Sequence, residues 1–423
     1  MTSAKALEQT LSSRTKPSLW DDIAYKQLIS HFSRITQGRI VIRFENDTHE
    51  SGQNQHDAAV TAVIQVHDKL VFRHIMLSGI VGAAEMYMLG KWSTPDLVSV
   101  IRVMCLNLNI LNQVNQQQSL IRKSVLRFAR FVNRNTLEGS RKNISAHYDL
   151  GNDFFQVFLD KSMMYSAAIY LSENTALPQA SIHKLDLICR KLQLQPSDHL
   201  VEIGTGWGGM AIHAATHYGC HVTTTTISQR QYDYAKSEIE RLGLQDKITL
   251  LLKDYRELTG TYDKLVSIEM IEAVGHEYYD SYFKTCSSLL KPEGVALIQA
   301  ITIDDQRFEA SKKSLDFIQR YIFPGGCLPS NEVISRYVSQ ATDMHIYDLH
   351  DITQDYARTL HDWRQAFLAN IDQVKAMGFD DVFCRMWEYY LAYCEGGFTE
   401  QVIHTAQFVM AKPQARHLKS LRM

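Results

Sequence analysis

The segment VEIGTGWGG (Val201–Gly209) stands where a β-branched run, Leu200–Ile203, gives way to a helical pattern. Glycines at such a junction let the backbone turn sharply and let a ligand lie close against it. Gly204, Gly206 and Gly209 satisfy the GxGxxG of a dinucleotide site. Gly204, Gly206 and Gly208 equally satisfy the GxGxG of S-adenosylmethionine enzymes. The motif leaves both readings open. A nicotinamide site calls for an acid on the ribose about 20 residues further on. Here the next strand ends HVTTTTIS (His221–Ser228), with no acid, which weakens the nicotinamide reading. Thr226 and Gln231 offer a hydroxyl and an amide to a ribose instead. After the third strand comes KDYREL, where Asp254 and Tyr255 are placed to meet an adenine ring at the carboxyl edge of a sheet.

The elements that must position these groups alternate. Strand patterns cover Leu200–Ile203, His221–Ile227, Ile248–Leu252, Leu265–Glu269 and Val295–Ile303. Helical patterns cover Met210–Tyr218, Gln229–Leu242 and Tyr278–Leu290, the last closed by Pro292 and Gly294. His345–Ile352 and Thr405–Met410 read as the last strands. This βαβα rhythm predicts an α/β fold with a doubly wound, Rossmann-like parallel sheet over residues 143–423. Residues 1–115 read as a smaller α/β domain, with strands at Arg39–Phe44 and Ala59–Val66 and a polar loop, Glu45–Asp57, between them. His74–Trp92 is too rich in glycine for a simple helix. The connector, residues 116–142, carries Arg122, Lys123, Arg127, Arg130, Arg134, Arg141 and Lys142 against the single acid Glu138, with apolar residues at helical spacing. Such a basic amphipathic helix suits an anionic bilayer surface, each basic residue contributing roughly 1 kcal/mol. A solvated interdomain helix has the same pattern.

Bulk properties narrow the classes. A chain of 423 residues with 45% hydrophobic and 21% charged residues forms two or three globular domains. A net charge of −2 gives no reason to expect nucleic acid. The seven cysteines include no CxxC and no Cys/His spacing of a metal site, so no metal is expected and a reducing cytoplasm fits. No run approaches the roughly 20 apolar residues of a spanning helix, so any membrane association is expected to be peripheral.

HYDLGNDFF (His147–Phe155), MMYSAAIY (Met163–Tyr170), VEIGTGWGG, TTTTISQRQ (Thr223–Gln231), KDYREL, SIEMIEAVG (Ser267–Gly275) and RYIFPGGCLPS (Arg320–Ser330) follow one another in order. From His147 to the C-terminus the chain resembles the cyclopropane-fatty-acyl-phospholipid synthase family of S-adenosylmethionine-dependent methyltransferases. GAAEMYMLGKWSTPDL (Gly82–Leu97) resembles part of that family's N-terminal domain, which is similar to sterol-carrier proteins. The resemblance implies that Tyr165 and Ser166 contact the methionine end of the cofactor and that Gly204 and Gly206 pass beneath it. Thr226, Ile227 and Gln231 would hold the ribose, and Tyr255 and Arg256 would flank the adenine. Glu272 matches the active-site glutamate and Tyr356, in DYARTLHDW, the active-site tyrosine. It further implies a phospholipid bilayer as substrate surface, a homodimer, and a bound bicarbonate as base.

An isolated alkene is a weak nucleophile, so the methyl donor must be held in line with it; such positioning supplies roughly 7–11 kcal/mol. Methyl transfer leaves a carbocation, which calls for exclusion of water and for stabilising groups such as Glu272 and the rings of Tyr165, Tyr356, Trp363 and Phe367. Proton loss from the new methyl closes a cyclopropane; loss from a neighbouring carbon gives a methyl-branched alkene. The chain departs from the resemblance where bicarbonate would be held. Ala167 stands at a cysteine position, Gln299 at a histidine position, and Ala273 where a histidine is common. Gln299 can still donate to an anion. Cyclopropane formation is the leading expectation, with methyl branching or a non-catalytic lipid-binding relative as alternatives. A nicotinamide oxidoreductase and a small-molecule methyltransferase fit less well.

Overall fold

The computed structural model describes residues 19–52, 60–110, 135–136, 139–140, 143, 150–416 and 418. The charged residues of the basic connector and His147–Asp149 of the HYDLGNDFF motif lie outside them.

Two compact units are built from interleaved stretches of chain. The first gathers the described residues up to 132 with Ser314–Ile322 and Trp363–Val402; the second holds those from 135 to Lys313, Phe323–Asp362 and Ile403 onward. This grouping differs from a single domain over 143–423, because two late stretches join the N-terminal unit. The helix Asp381–Thr399 explains the second of them: its Glu388 accepts from Tyr87, and its Gly396 has no room for a Cβ against Ile101.

The first unit carries a four-stranded sheet in the order β2-β1-β3-β4. Its strands are β1 (Arg39–Phe44), β2 (Asp47–Gly52), β3 (Thr61–Val66) and β4 (Trp92–Ser93). The segment expected as a polar loop contains β2, an edge strand whose side chains (DTHESG) are mostly solvated. Polar alternation hid it, because an edge strand has no apolar face to reveal its period. The glycine-rich stretch is helical over Leu70–Met88, bent at Gly79 (φ 59°, ψ −143°). The stretch, read as too rich in glycine for a simple helix, is two helical runs joined at one kink.

The second unit is a three-layer α/β sandwich. Its strands are β5 (His199–Ile203), β6 (His221–Thr226), β7 (Ile248–Leu252), β8 (Tyr262–Ile268), β9 (Leu290–Ile303), β10 (His345–Asp351) and β11 (Ile403–Ala411). Their order is β10-β11-β9-β8-β5-β6-β7, and only β11 runs against the rest. Alternate residues of β9 feed opposite cores. Ala296, Ile298 and Ala300 join Tyr279, Phe283 and Ile334 on one face, while Val295 and Leu297 join Leu185, Ile188 and Ala211 on the other. Burial on both faces is why these strands read as nearly unbroken apolar runs. The order reverses between β5 and β8. In such sheets the ligand crevice opens at the carboxyl ends of the two strands that flank the reversal.

Candidate active site

The carboxyl end of β5 runs directly into the glycine turn. Gly204 (φ 99°), Gly206 (φ 52°) and Gly208 (φ 94°) all take left-handed backbone, which L side chains enter only at a cost. The backbone NH groups of Gly204 and Thr205 both donate to the carbonyl of Thr225 on β6, at 3.1 and 3.0 Å, and so hold the turn to its neighbour strand. A Cβ on Gly206 would meet nothing within 4 Å, so the turn borders open space there. Gly209 differs: a Cβ there would lie 2.7 Å from Met164 Sδ and 2.8 Å from the Ser162 carbonyl. Gly209 thus serves close packing, and the positive-φ pattern is Gly204-x-Gly206-x-Gly208, with open space at Gly206. Trp207 braces the turn, its indole NH donating to Asn152 at 2.8 Å while its ring packs on Phe155.

Around this turn the expected cofactor residues are placed as follows. Thr226 ends β6 and donates to Gln231 Oε1 at 2.9 Å; both are buried. Ile227 follows at the same strand end. Asp254 stands just past the end of β7. It caps the short helix Tyr255–Glu257 and accepts from Arg256 at 2.8 and 2.7 Å, fixing that guanidinium beside the ring of Tyr255. Tyr255 packs edge-on against Tyr282 within the core. Tyr165 leans on Phe155, and the Ser166 hydroxyl accepts from Lys184 at 2.7 Å. The open, positive-φ glycine turn at the sheet reversal, with hydroxyl and amide groups at the end of β6, fits S-adenosylmethionine.

The carboxyl end of β8 carries a cluster of buried polar and ionisable groups. The strand ends at Ile268, and Glu269 turns into left-handed backbone (φ 48°). One carboxylate oxygen of Glu269 accepts from the Ala167 NH at 2.8 Å and from the Gln299 amide at 2.7 Å. The other accepts from the Tyr356 hydroxyl at 2.8 Å. Gln299 is itself oriented, because its carbonyl oxygen accepts from the Gln407 amide at 3.0 Å. Desolvation pushes the Glu269 carboxyl up from its ordinary value, against the pull of its donors and of Lys184. Lys184 is fully buried, and desolvation pushes its ammonium down to about 8 despite Glu269, Asp160 and Glu202 nearby.

Glu272 lies one short helical turn on, in Ile271–Ala273. It accepts from the Ile301 NH through Oε1, while Oε2 is sealed from solvent without a hydrogen-bond partner. Burial, and then the neighbouring Glu269 charge, push its carboxyl up to about 8. Two carboxyl groups, an amide, a phenol and a buried lysine thus converge beside the glycine turn. Trp363 and Phe367 are fully buried in the first unit, as packing residues.

Sequence reasoning missed Glu269 and Lys184. The sequence pattern makes Glu269 the last residue of a strand, whereas it stands just past the strand end, at the edge where parallel sheets bind their ligands. Lys184 sits in register with Ser181 and Ile188 on the apolar face of the helix Leu177–Leu192, an unusual place for a lysine that the pattern could have flagged. Ala167, Gln299 and Tyr356, at positions where holders of a bicarbonate are expected, all donate to the Glu269 carboxylate.

The family model described as mycolic acid cyclopropane synthetase matches residues 135–408. The chain is 37% identical over 347 residues to the tuberculostearic acid methyltransferase UfaA1 of Mycobacterium tuberculosis, covering 80% of this chain and 81% of that one. It is 35% identical over 370 residues to the cyclopropane-fatty-acyl-phospholipid synthase of Escherichia coli K12, covering 86% and 92%. Among solved structures, the cyclopropane synthase MmaA2 from M. tuberculosis superposes with a TM-score of 0.60 at 30% identity, covering 64% of this chain and 98% of that one. The mycolic acid cyclopropane synthase CmaA1 complexed with SAH and CTAB gives 0.60 at 32%, with the same coverage. The family-model match over residues 135–408 and the identity to these relatives over most of both chains place the chain in the mycolic acid cyclopropane synthetase family, as an S-adenosylmethionine-dependent methyltransferase.

Proposed function

We propose that this enzyme transfers a one-carbon unit from S-adenosylmethionine to the double bond of an unsaturated acyl chain in a membrane phospholipid, and that the product is a cyclopropane. The observation that carries this reading is the convergence of Glu269, Glu272, Gln299 and Tyr356 at the carboxyl end of β8, beside the glycine turn at the end of β5. No member of that set is a strong external nucleophile, and none is needed if the alkene itself attacks. S-adenosylmethionine, when bound, supplies an electrophilic methyl group.

The chain's own residues do the rest. The turn Gly204–Gly208 holds the donor, while Tyr165 and Tyr356 offer ring faces and Glu272 a carboxyl group to the positive charge that develops on the acyl chain. The deep setting of the carboxyl groups limits capture of that charge by water. Phospholipid as substrate is supported by the likeness to the E. coli enzyme over most of both chains. Approach from the bilayer surface is supported by the basic residues of segment 116–142, and no described helix is long and apolar enough to cross a membrane. A homodimer and a lipid-handling role for residues 1–115 belong to the same proposal. A methyl-branched product is the second reading, favoured by the likeness to an enzyme named as a tuberculostearic acid methyltransferase.

The test uses purified protein, S-adenosylmethionine and vesicles of unsaturated or fully saturated phospholipid. Release of S-adenosylhomocysteine only with the unsaturated lipid, and an upfield ring-methylene signal in the proton spectrum of the product, are expected. Methyl-branched chains without that signal would select the second reading. No turnover with any unsaturated lipid would sink both.

A further inference from the structure

We infer that the Glu269 carboxylate occupies the anion place of this active site and is the resident base that takes the proton leaving the methylated acyl chain, so that the enzyme works without bicarbonate. The inference rests on the proposed lipid reaction and names the group that completes it.

Three observations converge. The first is occupancy. A carboxylate offers two oxygens and about four lone-pair directions. Oε1 of Glu269 takes the Ala167 NH and the Gln299 amide, and Oε2 takes the Tyr356 hydroxyl. These donors come from three separate stretches of chain and close on one planar anion. A second anion among them would lack donors and meet a like charge.

The second observation is the backbone. Glu269 sits at φ 48°, where a residue with a Cβ is strained by about 1–2 kcal/mol and glycine is not. A position that favours glycine holds a glutamate, and its side chain lands at the centre of the donor set.

The third is accessibility and charge. Glu269 is partly accessible although protein surrounds it, as a side chain lining an internal cleft would be. Lys184 lies near enough to act on its charge and is held by the Ser166 hydroxyl. It balances the carboxylate before the proton arrives. The buried setting makes Glu269 a stronger base than a surface glutamate.

The step balances. The alkene π pair forms the new C–C bond to the methyl group as the S–CH3 bond breaks, leaving S-adenosylhomocysteine and a cationic chain carbon. A C–H bond of the added methyl then breaks. Its electron pair forms the third ring bond to the cationic carbon, and its proton goes to a Glu269 oxygen. Glutamic acid returns the proton to water when product leaves.

The experiment compares wild type, Glu269→Gly and Glu269→Gln in carbon-dioxide-free buffer with and without added bicarbonate. It reads S-adenosylhomocysteine release, lipid product and, separately, binding of 13C-labelled bicarbonate by NMR titration. Calorimetric S-adenosylmethionine binding and thermal melting control for folding. Wild type is expected to bind no bicarbonate and to turn over at the same rate in both buffers. Both variants should lose at least about 100-fold in rate, the usual scale for a positioned base. Glu269→Gly, whose backbone suits the site, should bind bicarbonate and recover about 10-fold or more when it is added; Glu269→Gln, which keeps the space filled, should not. The inference is overturned if wild type binds or needs bicarbonate, or if folded Glu269→Gln keeps the wild-type rate. If wild type turns over no unsaturated lipid, the lipid reading fails and the base role with it, while the titration still decides what fills the anion place.

Discussion

Tyr356 and Glu269, 87 residues apart, meet at 2.8 Å, with the phenol donating to the carboxylate oxygen that neither Ala167 nor Gln299 reaches. The bond joins the helix Thr353–Ala369 to the end of β8 and pulls the Glu269 carboxyl down against the larger effect of burial. Tyr356→Phe removes that donor and keeps the ring. Loss of one hydrogen bond to a buried charged group costs about 1–3 kcal/mol, so kcat should fall by roughly 10–100-fold. The Glu269 carboxyl should then titrate higher, and the acidic limb of the pH–rate profile should move to higher pH. A lowered rate with an unmoved limb would mean that the phenol acts on substrate alone.

Glu272 links the site to stability. Its folded-state carboxyl is pushed up to about 8 from an ordinary 4.5, first by burial and then by the neighbouring Glu269 charge. The folded protein therefore binds an extra proton between those values. The stabilising share is full below about pH 4.5 and is lost as the pH rises toward 8. Glu202, also pushed up to about 8 by burial, acts in the same direction. Lys184, pushed down to about 8, acts oppositely: its cost to the fold is relieved between there and its ordinary 10.5. Melting temperature should thus decline from mildly acidic pH toward 8. Glu272→Gln should flatten part of that decline and melt higher than wild type near pH 8, by about 2–4 °C for each kcal/mol gained. The same variant should lose at least about 100-fold in turnover. A parallel shift at all pH values would show that Glu272 is not the group titrating.

Gln407 positions without touching the site. Its amide donates to Gln299 Oε1 at 3.0 Å, which turns the Gln299 amide nitrogen toward Glu269. Gln407→Leu keeps the volume near the original but releases that orientation. A drop of about 10-fold in kcat, with the affinity for S-adenosylmethionine unchanged, is expected from one lost hydrogen bond of about 1 kcal/mol or slightly more. A fall in cofactor affinity, with kcat intact, would show that Gln407 supports the binding turn instead.

The parallel strands and the glycine turn were legible in sequence because their signals are local. Apolar runs, β-branching and glycine spacing depend on neighbours along the chain. The strand endings over β5 to β9 were read to within one or two residues, but that margin decided the site. Assigning Glu269 to β8 makes it one more strand residue; the strand ends at Ile268, and Glu269 takes left-handed backbone just past it. Its partners Ala167, Gln299 and Tyr356 lie up to 102 residues away, and no spacing rule joins them. Glu272 and Tyr356 were found through motif resemblance, not periodicity. Gln299, whose amide the sequence offers to an anion, donates to the Glu269 carboxylate. The pairing of Asp254 with Arg256 is local, because a capping acid and a guanidinium two residues on satisfy each other.

The glycine turn offers a test that separates its two motif registers. Gly204, Gly206 and Gly208 have positive φ, but Gly209 does not and is pressed against Met164 and the Ser162 carbonyl. Gly206→Ala places a methyl group in open space, at a backbone cost of roughly 1–2 kcal/mol. That methyl stands where the cofactor would lie, so affinity for S-adenosylmethionine should fall by about 10-fold or more while the protein still folds. Gly209→Ala meets a thioether that can swing aside and a main-chain carbonyl that cannot. Overpacking of this kind costs about 1–3 kcal/mol, so the variant should melt several degrees lower. Its cofactor affinity should change less than that of Gly206→Ala. Calorimetric titration and thermal melting of the two variants side by side check this. If Gly209→Ala proved the worse binder and the more stable protein, the ligand would lie against the GxGxxG register and the open space at Gly206 would serve something else.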